Sequence, residues 1–238
     1  RALLINALLS LIVQVGCRVR PYLAVQDVSD ADLELLKAEL ARLPWEEDCE
    51  PIIRRYESSE SRPDLRSLML NETLKSVRQG YAAFLDYDDV LFPGAYSGLV
   101  QRLESTGKNA TFGRVYSTSV DAISGRLLVR NSTYSYGFSY AEFVRLNHAP
   151  LHSFMLNLDK IELSNLHHFD EMKFMEDYYL TLQIFTTADT DWASLRNCEF
   201  IGDYVHRLGD FSNTLALSNE QDRTALLQDA HYKVCEGR

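Results

Sequence analysis

Residues 81 to 94, YAAFLDYDDVLFPG, place three aspartates directly after an apolar segment. The apolar half predicts a buried strand, and Pro93-Gly94 predicts a turn. A buried strand holds the carboxylates of Asp86, Asp88 and Asp89 together at one edge, where they repel one another. The run therefore needs either full solvation in a turn or a counter-charge.

The first hundred residues alternate between helical and extended patterns. Helices are predicted over residues 2–15, 31–43 and 65–80, and strands over 20–26, 51–57 and 81–85. This alternation is typical of an α/β protein with a mostly parallel sheet between two layers of helices, in which ligands bind beyond the carboxyl ends of the strands. The acidic segments 27–30 and 86–89 both follow predicted strands, so we expect them on that edge.

The opening helix is predicted to be amphipathic and packed, although its composition resembles the core of a signal peptide. Its apolar residues recur at helical spacing on one stripe, with Asn6, Ser10 and Gln14 off it. The stripe consists of Leu4, Leu8, Leu11, Ile12 and Val15.

The second half is less regular, and we expect it to complete one domain. A hairpin is predicted over 109–120 and 126–135, short helices over 139–147 and 175–188, strands over 151–161 and 198–208, a loop over 163–174 and a closing helix over 219–234. We expect residues 1–109 to form one functional half and 110–238 the other.

Composition limits the partners of the chain. It has 238 residues, 46% of them hydrophobic, which suffices for a large core. The net charge of −10 comes with scattered lysines and arginines, so we expect no nucleic-acid partner. Apolar runs fall short of the roughly 18 to 20 residues that a membrane span needs. The four dispersed cysteines suit a reducing compartment, so we expect cytoplasmic free thiols.

The acidic run has two interpretations besides a solvated turn. One is a phosphatase, because FLDYDDVLF resembles the first motif of the haloacid dehalogenase type, with Asp86 as nucleophile and Asp88 as general acid. That chemistry also requires a lysine and a second acidic pair, and residues 150 to 210 offer no convincing set.

The other interpretation uses a longer pattern. Residues 70 to 103 resemble the core of inverting family-two glycosyltransferases of the GT-A fold, with Asn71, a glycine-aromatic step, an apolar strand, D-x-D-D and Pro93-Gly94 before a helix. Segments 4–14, 20–30 and 169–185 resemble further elements of that family in the same order. The resemblance implies a Rossmann-like α/β/α sandwich around a mixed, mostly parallel sheet.

The resemblance also implies an activity. Such enzymes move a sugar from a nucleoside-diphosphate sugar to a saccharide or glycolipid acceptor, as in surface-polysaccharide synthesis at the membrane periphery. Mn²⁺ or Mg²⁺ would offset the charge on the departing diphosphate, because hard cations prefer oxygen ligands. A non-catalytic GT-A domain that binds glycan or protein is the alternative.

Residue roles follow from the same resemblance. It implies that Asp88 and Asp86 bind the metal with His206, and that Asp27, Asn71, Arg66 and Asp86 face the nucleotide sugar. On the residues alone, Asp27 is equally well a helix cap and His206 a structural histidine.

The resemblance further implies that Asp177 is the general base. Glu176 and Asp177 lie about 100° apart on a helix, so usually only one of them enters a site. Both acids could instead complement the helix N-terminus. The sequence departs from the family at Leu70, usually arginine, and at Thr73, usually glycine. The first strand of the fold also has no counterpart before Arg1.

Overall fold

Helices and strands alternate along the chain in a computed structural model. It describes residues 2–77, 79–121, 123–124, 126–134, 137, 139–145, 147–163, 166 and 176–208. The helices are α1 (Ala2–Ile12), α2 (Asp30–Leu40), α3 (Arg66–Ser76), α4 (Ala95–Thr106), α5 (Tyr140–Phe143), α6 (Glu176–Ile184) and α7 (Ser194–Asn197). The strands are β1 (Tyr22–Gln26), β2 (Ile52–Tyr56), β3 (Tyr81–Ala83), β4 (Val90–Leu91), β5 (Ala110–Phe112), β6 (Arg114–Asp121), β7 (Leu127–Thr133), β8 (Phe154–Asn157) and β9 (Phe200–Leu208). The closing helix predicted over 219–234 lies outside the described residues.

The strands form a parallel sheet β1-β2, an antiparallel sheet β3-β8-β5 and a mixed sheet β4-β9-β6-β7. The pairs β1–β2 and β6–β9 are parallel, and the other described pairs are antiparallel. The helix–strand alternation led us to expect more parallel pairing. The difference arises because β8 runs antiparallel between β3 and β5, which themselves point the same way.

Strand β8 is the centre of the core. All four of its residues are buried, and they alternate between two hydrophobic clusters. Phe154 and Leu156 pack with residues of α6, whereas Met155 packs with residues of α4. Helices therefore cover both faces of this sheet, as the predicted α/β/α sandwich requires.

Two glycines allow the sheets to meet. The predicted strand over 109–120 is split at Gly113, where a side chain would collide with Ile201 and where the chain passes from one sheet to the other. A side chain at Gly202 would collide with the carbonyl oxygen of Val90. Glycine at 202 therefore lets β9 approach β4, which immediately follows the acidic run.

Helix α1 buries Leu8 of the predicted stripe together with Leu3, Ala7 and Ser10, so its buried face matches the apolar spacing only in part. Ser10 and Gln14 are buried, whereas Val15 is exposed. The Gln14 amide donates to the carbonyl oxygen of Phe92 at 2.8 Å and accepts from the amide nitrogen of Tyr96 at 3.0 Å. A buried glutamine is tolerated because its hydrogen bonds are made, and here they join α1 to the start of α4.

Other boundaries are set locally. Ser29 caps α2 by accepting from the amide nitrogen of Asp32. Helix α3 ends at Ser76 and not at the predicted Gly80, although Gly80 does adopt positive φ. Within the described residues, no helix combines the length and the apolar character that crossing a membrane would require. Cys17, Cys49 and Cys198 are free thiols, as expected.

Candidate active site

The acidic run forms a turn between β3 and β4, closed by a hydrogen bond from the Asp89 amide to the Asp86 carbonyl oxygen at 3.1 Å. Asp89 is buried, with 1% of its surface exposed. Its Oδ1 accepts from the amide nitrogen of Val205 in β9 at 2.8 Å. Its Oδ2 lies 2.7 Å from Nδ1 of His152. Asp89 therefore joins the acidic turn to β9 and to His152.

His152 supplies an internal counter-charge for this turn. It lies in a 3-10 turn just before β8 and is completely buried. Burial lowers the pKa of His152, but the nearby Asp89 carboxylate outweighs that effect and the pKa is raised. His152 thus supplies the counter-charge for Asp89, one of the three aspartates of the run. The sequence did not suggest this histidine.

Asp86 is the carboxylate that remains open. Its side chain is exposed to solvent and lies among the other acids of the turn. Restricted hydration and the charges of Asp89, Asp88 and Asp177, opposed by His152, raise the pKa of Asp86 to about 7. Within the described part of the chain its carboxylate makes no ion pair or hydrogen bond. Asp86 therefore has no ion-pair partner among the described residues, and His152 acts on it only through its charge.

Asp88 is held differently. Its Oδ2 lies 3.2 Å from Nε of Arg207, and both side chains are largely buried. Burial and the charge of Asp89 raise the pKa of Asp88, while Arg207 lowers it. The Arg207 guanidinium also lies 5.5 Å from the centre of the Tyr87 ring. Asp88 thus already has a cationic partner, which Asp86 lacks.

Asp177 lies in the first turn of α6, within electrostatic reach of Asp86. Its Oδ1 accepts from the amide nitrogen of Tyr178 at 2.7 Å, and its Oδ2 from the Asn147 side chain at 3.3 Å. Burial is the main cause that raises the pKa of Asp177. Since its charge also raises the pKa of Asp86, the two carboxylates share one electrostatic environment. Sequence reasoning missed Asn147, for which no local motif exists.

Glu176 is tied to Arg66 instead. Nη1 of Arg66 lies 3.3 Å from Oε1 of Glu176, while its Nε and Nη2 bind Asp64. Arg66, predicted to face the nucleotide, therefore links the starts of α3 and α6. Burial raises the pKa of Glu176 to about 7, because the opposing effect of Arg66 is smaller.

This raised pKa predicts how pH acts on stability. Between the ordinary value of 4.5 and about 7, the folded protein holds a proton on Glu176 that the unfolded chain has lost. Stability therefore falls as the pH rises through that window. We expect Glu176→Gln to gain on the order of 2 kcal/mol relative to wild type between pH 4.5 and pH 8. Urea unfolding at both values measures this, and an unchanged or opposite difference would contradict it.

Tyr204 lies beside the acidic turn, with its ring stacked on that of His152 at a centre-to-centre distance of 6.0 Å. The Tyr204 ring in β9 lies 5.0 Å from that of Tyr134 and 4.9 Å from that of His206. Burial and the charges of Tyr134, Asp89, Asp86 and Asp177 raise the pKa of Tyr204. Alternation in the strand DYVHRL places Tyr204 on the same face as His206. That signal could have identified Tyr204, which sequence reasoning overlooked.

The remaining predicted residues lie in different settings. Asp27 is exposed, and its oxygens accept from the amide and hydroxyl of Ser58 and from Gln26, which lowers its pKa. Asn71, predicted to face the nucleotide sugar, is buried in the middle of α3. The Phe169-Asp170-Glu171 segment lies outside the described residues.

The structure assembles no ready-made metal cage. Among the residues that it describes, no group of three or more histidine, cysteine, aspartate and glutamate side chains is placed to hold an ion. Asp86 and Asp88 share the acidic turn, whereas His206 is exposed and contacts Tyr204. The ligand set Asp86, Asp88 and His206 stays a prediction.

Comparison with known proteins gives a structural likeness and no sequence relative. No family model matches the chain, and no curated protein matches it. Residues 1–349 of S. aureus TarS, a glycosyltransferase, superpose with a TM-score of 0.55 at 14% identity, covering 85% of this chain and 56% of that one. The same fragment in complex with UDP-GlcNAc gives 0.59 at 12% identity, covering 94% and 60%.

A third structure, the fragment in complex with UDP, gives a TM-score of 0.56 at 13% identity and covers 85% of this chain and 56% of that one. The chain thus spans less than two thirds of each of these structures. At such identities the likeness concerns the fold, and it does not favour the haloacid dehalogenase interpretation. The fold expected from the sequence is confirmed: the chain has the GT-A fold of glycosyltransferases.

Proposed function

We propose that the chain is an inverting glycosyltransferase that moves a sugar from a nucleoside-diphosphate sugar to a hydroxyl of a saccharide acceptor. The observation that carries this proposal is Asp86, a solvent-exposed carboxylate of the acidic turn that makes no ion pair with a described residue and lies within electrostatic reach of Asp177. The GT-A fold supports it, because the similar TarS fragment is known in complex with UDP and UDP-GlcNAc. We therefore take uridine nucleotides as the first donors to test.

The acidic turn fits a divalent cation held together with a diphosphate. Mg²⁺ and similar ions usually bind through one or two carboxylates plus substrate phosphates and do not require an all-protein cage. Asp86 offers such a carboxylate, and Asp88 could add a second one if Arg207 turned to a phosphate oxygen. When bound, the cation would offset the negative charge that develops on the leaving diphosphate.

Asp177 is placed for the acceptor side of the reaction. We assign it the removal of the proton from the incoming hydroxyl, which attacks the sugar opposite the leaving diphosphate and so inverts the configuration. Its raised pKa improves it as a base over an ordinary aspartate. The hydrogen bonds from Tyr178 and Asn147 fix the direction of its carboxylate.

Replacing Asp86 tests the donor side. We expect Asp86→Asn to raise the Kd of UDP in the presence of Mn²⁺ at least about tenfold, because a charged ligand of the cation is lost. Without Mn²⁺ the variant and wild type should bind UDP equally weakly. Isothermal titration gives both values. Asp121→Asn, at an exposed aspartate of the β6–β7 hairpin, is the matched control.

Two results would change the proposal. UDP affinity that is independent of Mn²⁺ and of Asp86 would refute the donor site. Mn²⁺-dependent UDP binding without any release of UDP from UDP-sugars, with or without added glycans, would favour the alternative of a non-catalytic GT-A domain.

A further inference from the structure

Tyr204 lies where the proposed reaction would take place, and no role has yet been given to it. Its neighbour Val205 binds Asp89 of the acidic turn through the backbone, so β9 runs directly beside that turn. Tyr204 packs against Tyr134 on one side and His206 on another. These two ring contacts hold the Tyr204 side chain in place.

The hydroxyl of Tyr204 is available to a ligand. It makes no hydrogen bond to any described residue, and the side chain is only half-buried. Polar groups in a protein interior are normally hydrogen-bonded. A hydroxyl without a protein partner is therefore suited to bind a ligand or water. A tyrosine hydroxyl is protonated at neutral pH, so it can donate a hydrogen bond.

The order of the reacting groups identifies the ligand. This step rests on the proposed function, in which the diphosphate lies at Asp86 and the acceptor oxygen at Asp177. The carbon that changes partners must lie between the leaving and the attacking oxygens. The Tyr204 ring is stacked on His152, the partner of Asp89, so it stands beside the acidic turn, where that carbon would meet the diphosphate.

We propose that Tyr204, supported by Tyr134, forms the binding site for the transferred sugar, with its hydroxyl donating a hydrogen bond to that sugar. Sugars offer many hydroxyl acceptors, and their C–H faces pack against aromatic rings. The chemical class of the ligand is a hexose or N-acetylhexosamine carried on UDP. Tyr204 thus contacts substrate on the donor side and sets the preference for the sugar over the bare nucleotide.

The test compares UDP-GlcNAc with UDP in the presence of Mn²⁺ by isothermal titration. We expect Tyr204→Phe to raise the ratio of the Kd of UDP-GlcNAc to that of UDP about threefold to tenfold, since one hydrogen bond is lost. Tyr204→Leu should raise this ratio by more than about tenfold. The Kd of UDP itself should change less than about twofold, which also reports that the variants fold.

Tyr116→Leu provides the matched control. Tyr116 pairs with Asp203, the residue before Tyr204, so its ring lies on the opposite face of the same sheet and stacks on Phe200 at 3.8 Å. The control should leave the ratio unchanged.

The outcomes separate this inference from the proposed function. An unchanged ratio in both Tyr204 variants, or an equal loss of UDP and UDP-GlcNAc affinity, would overturn the sugar site while the nucleotide site stands. Absence of Mn²⁺-dependent UDP binding in wild type would overturn the proposed function, and the sugar site with it.

Discussion

Asp177→Asn should lower the rate of UDP release from UDP-GlcNAc by about 10²- to 10⁴-fold, the range that general bases contribute. Asparagine has the same shape, and its oxygen can still accept the hydrogen bond that Tyr178 donates to Asp177. The start of α6 is therefore preserved while the general base is removed. A coupled assay for UDP with Mn²⁺ present, with and without glycan acceptors, measures the rate.

Glu176→Gln is the comparison that makes this result specific. Glu176 is paired with Arg66, and we expect its replacement to lower the rate by no more than about tenfold, through a small shift of α6. UDP affinity should stay unchanged in both variants, because neither carboxylate is placed at the diphosphate. If Glu176→Gln caused the larger loss, the general base would be Glu176 and our choice between the two neighbours would be wrong.

The sequence predicted the elements whose signals are local. The strand β1 and the helix α2 that follows it depend on neighbouring residues, and both formed as expected. The hairpin of β6 and β7 likewise needs only neighbouring residues. Helix α1 was harder, because tertiary hydrogen bonds of Gln14 override the apolar stripe that its sequence displays.

The candidate site was only partly predictable from the sequence, because tertiary contacts determine it as well. The acidic turn could be found as a contiguous run, but its anchors come from distant positions. Val205 is 116 residues from Asp89, and only the pairing of β4 with β9 brings them together. His152 and Tyr204 carry no motif of their own. A single sequence gives no indication that a histidine before β8 compensates an aspartate after β3.

That buried pair leads to the largest expected effect on stability. We expect Asp89→Ala to lower the free energy of unfolding by about 3–5 kcal/mol, because it leaves the His152 side chain buried without its counter-charge. The hydrogen bond from the Val205 amide is lost as well. Glu34→Ala, which breaks the exposed pair of Glu34 with Lys37, should cost less than about 1 kcal/mol in the same urea titration.

A double variant distinguishes an electrostatic pair from simple packing. If the penalty of Asp89→Ala comes from an uncompensated charge, then adding His152→Leu removes the orphaned group and recovers part of the loss. Two independent packing defects would instead add, so the double variant would be less stable than either single one. Such additivity would show that His152 does not act as the counter-charge of the acidic turn. Recovery would show that His152 neutralises Asp89 within the folded protein. Asp86 would then be the carboxylate whose charge a ligand must neutralise.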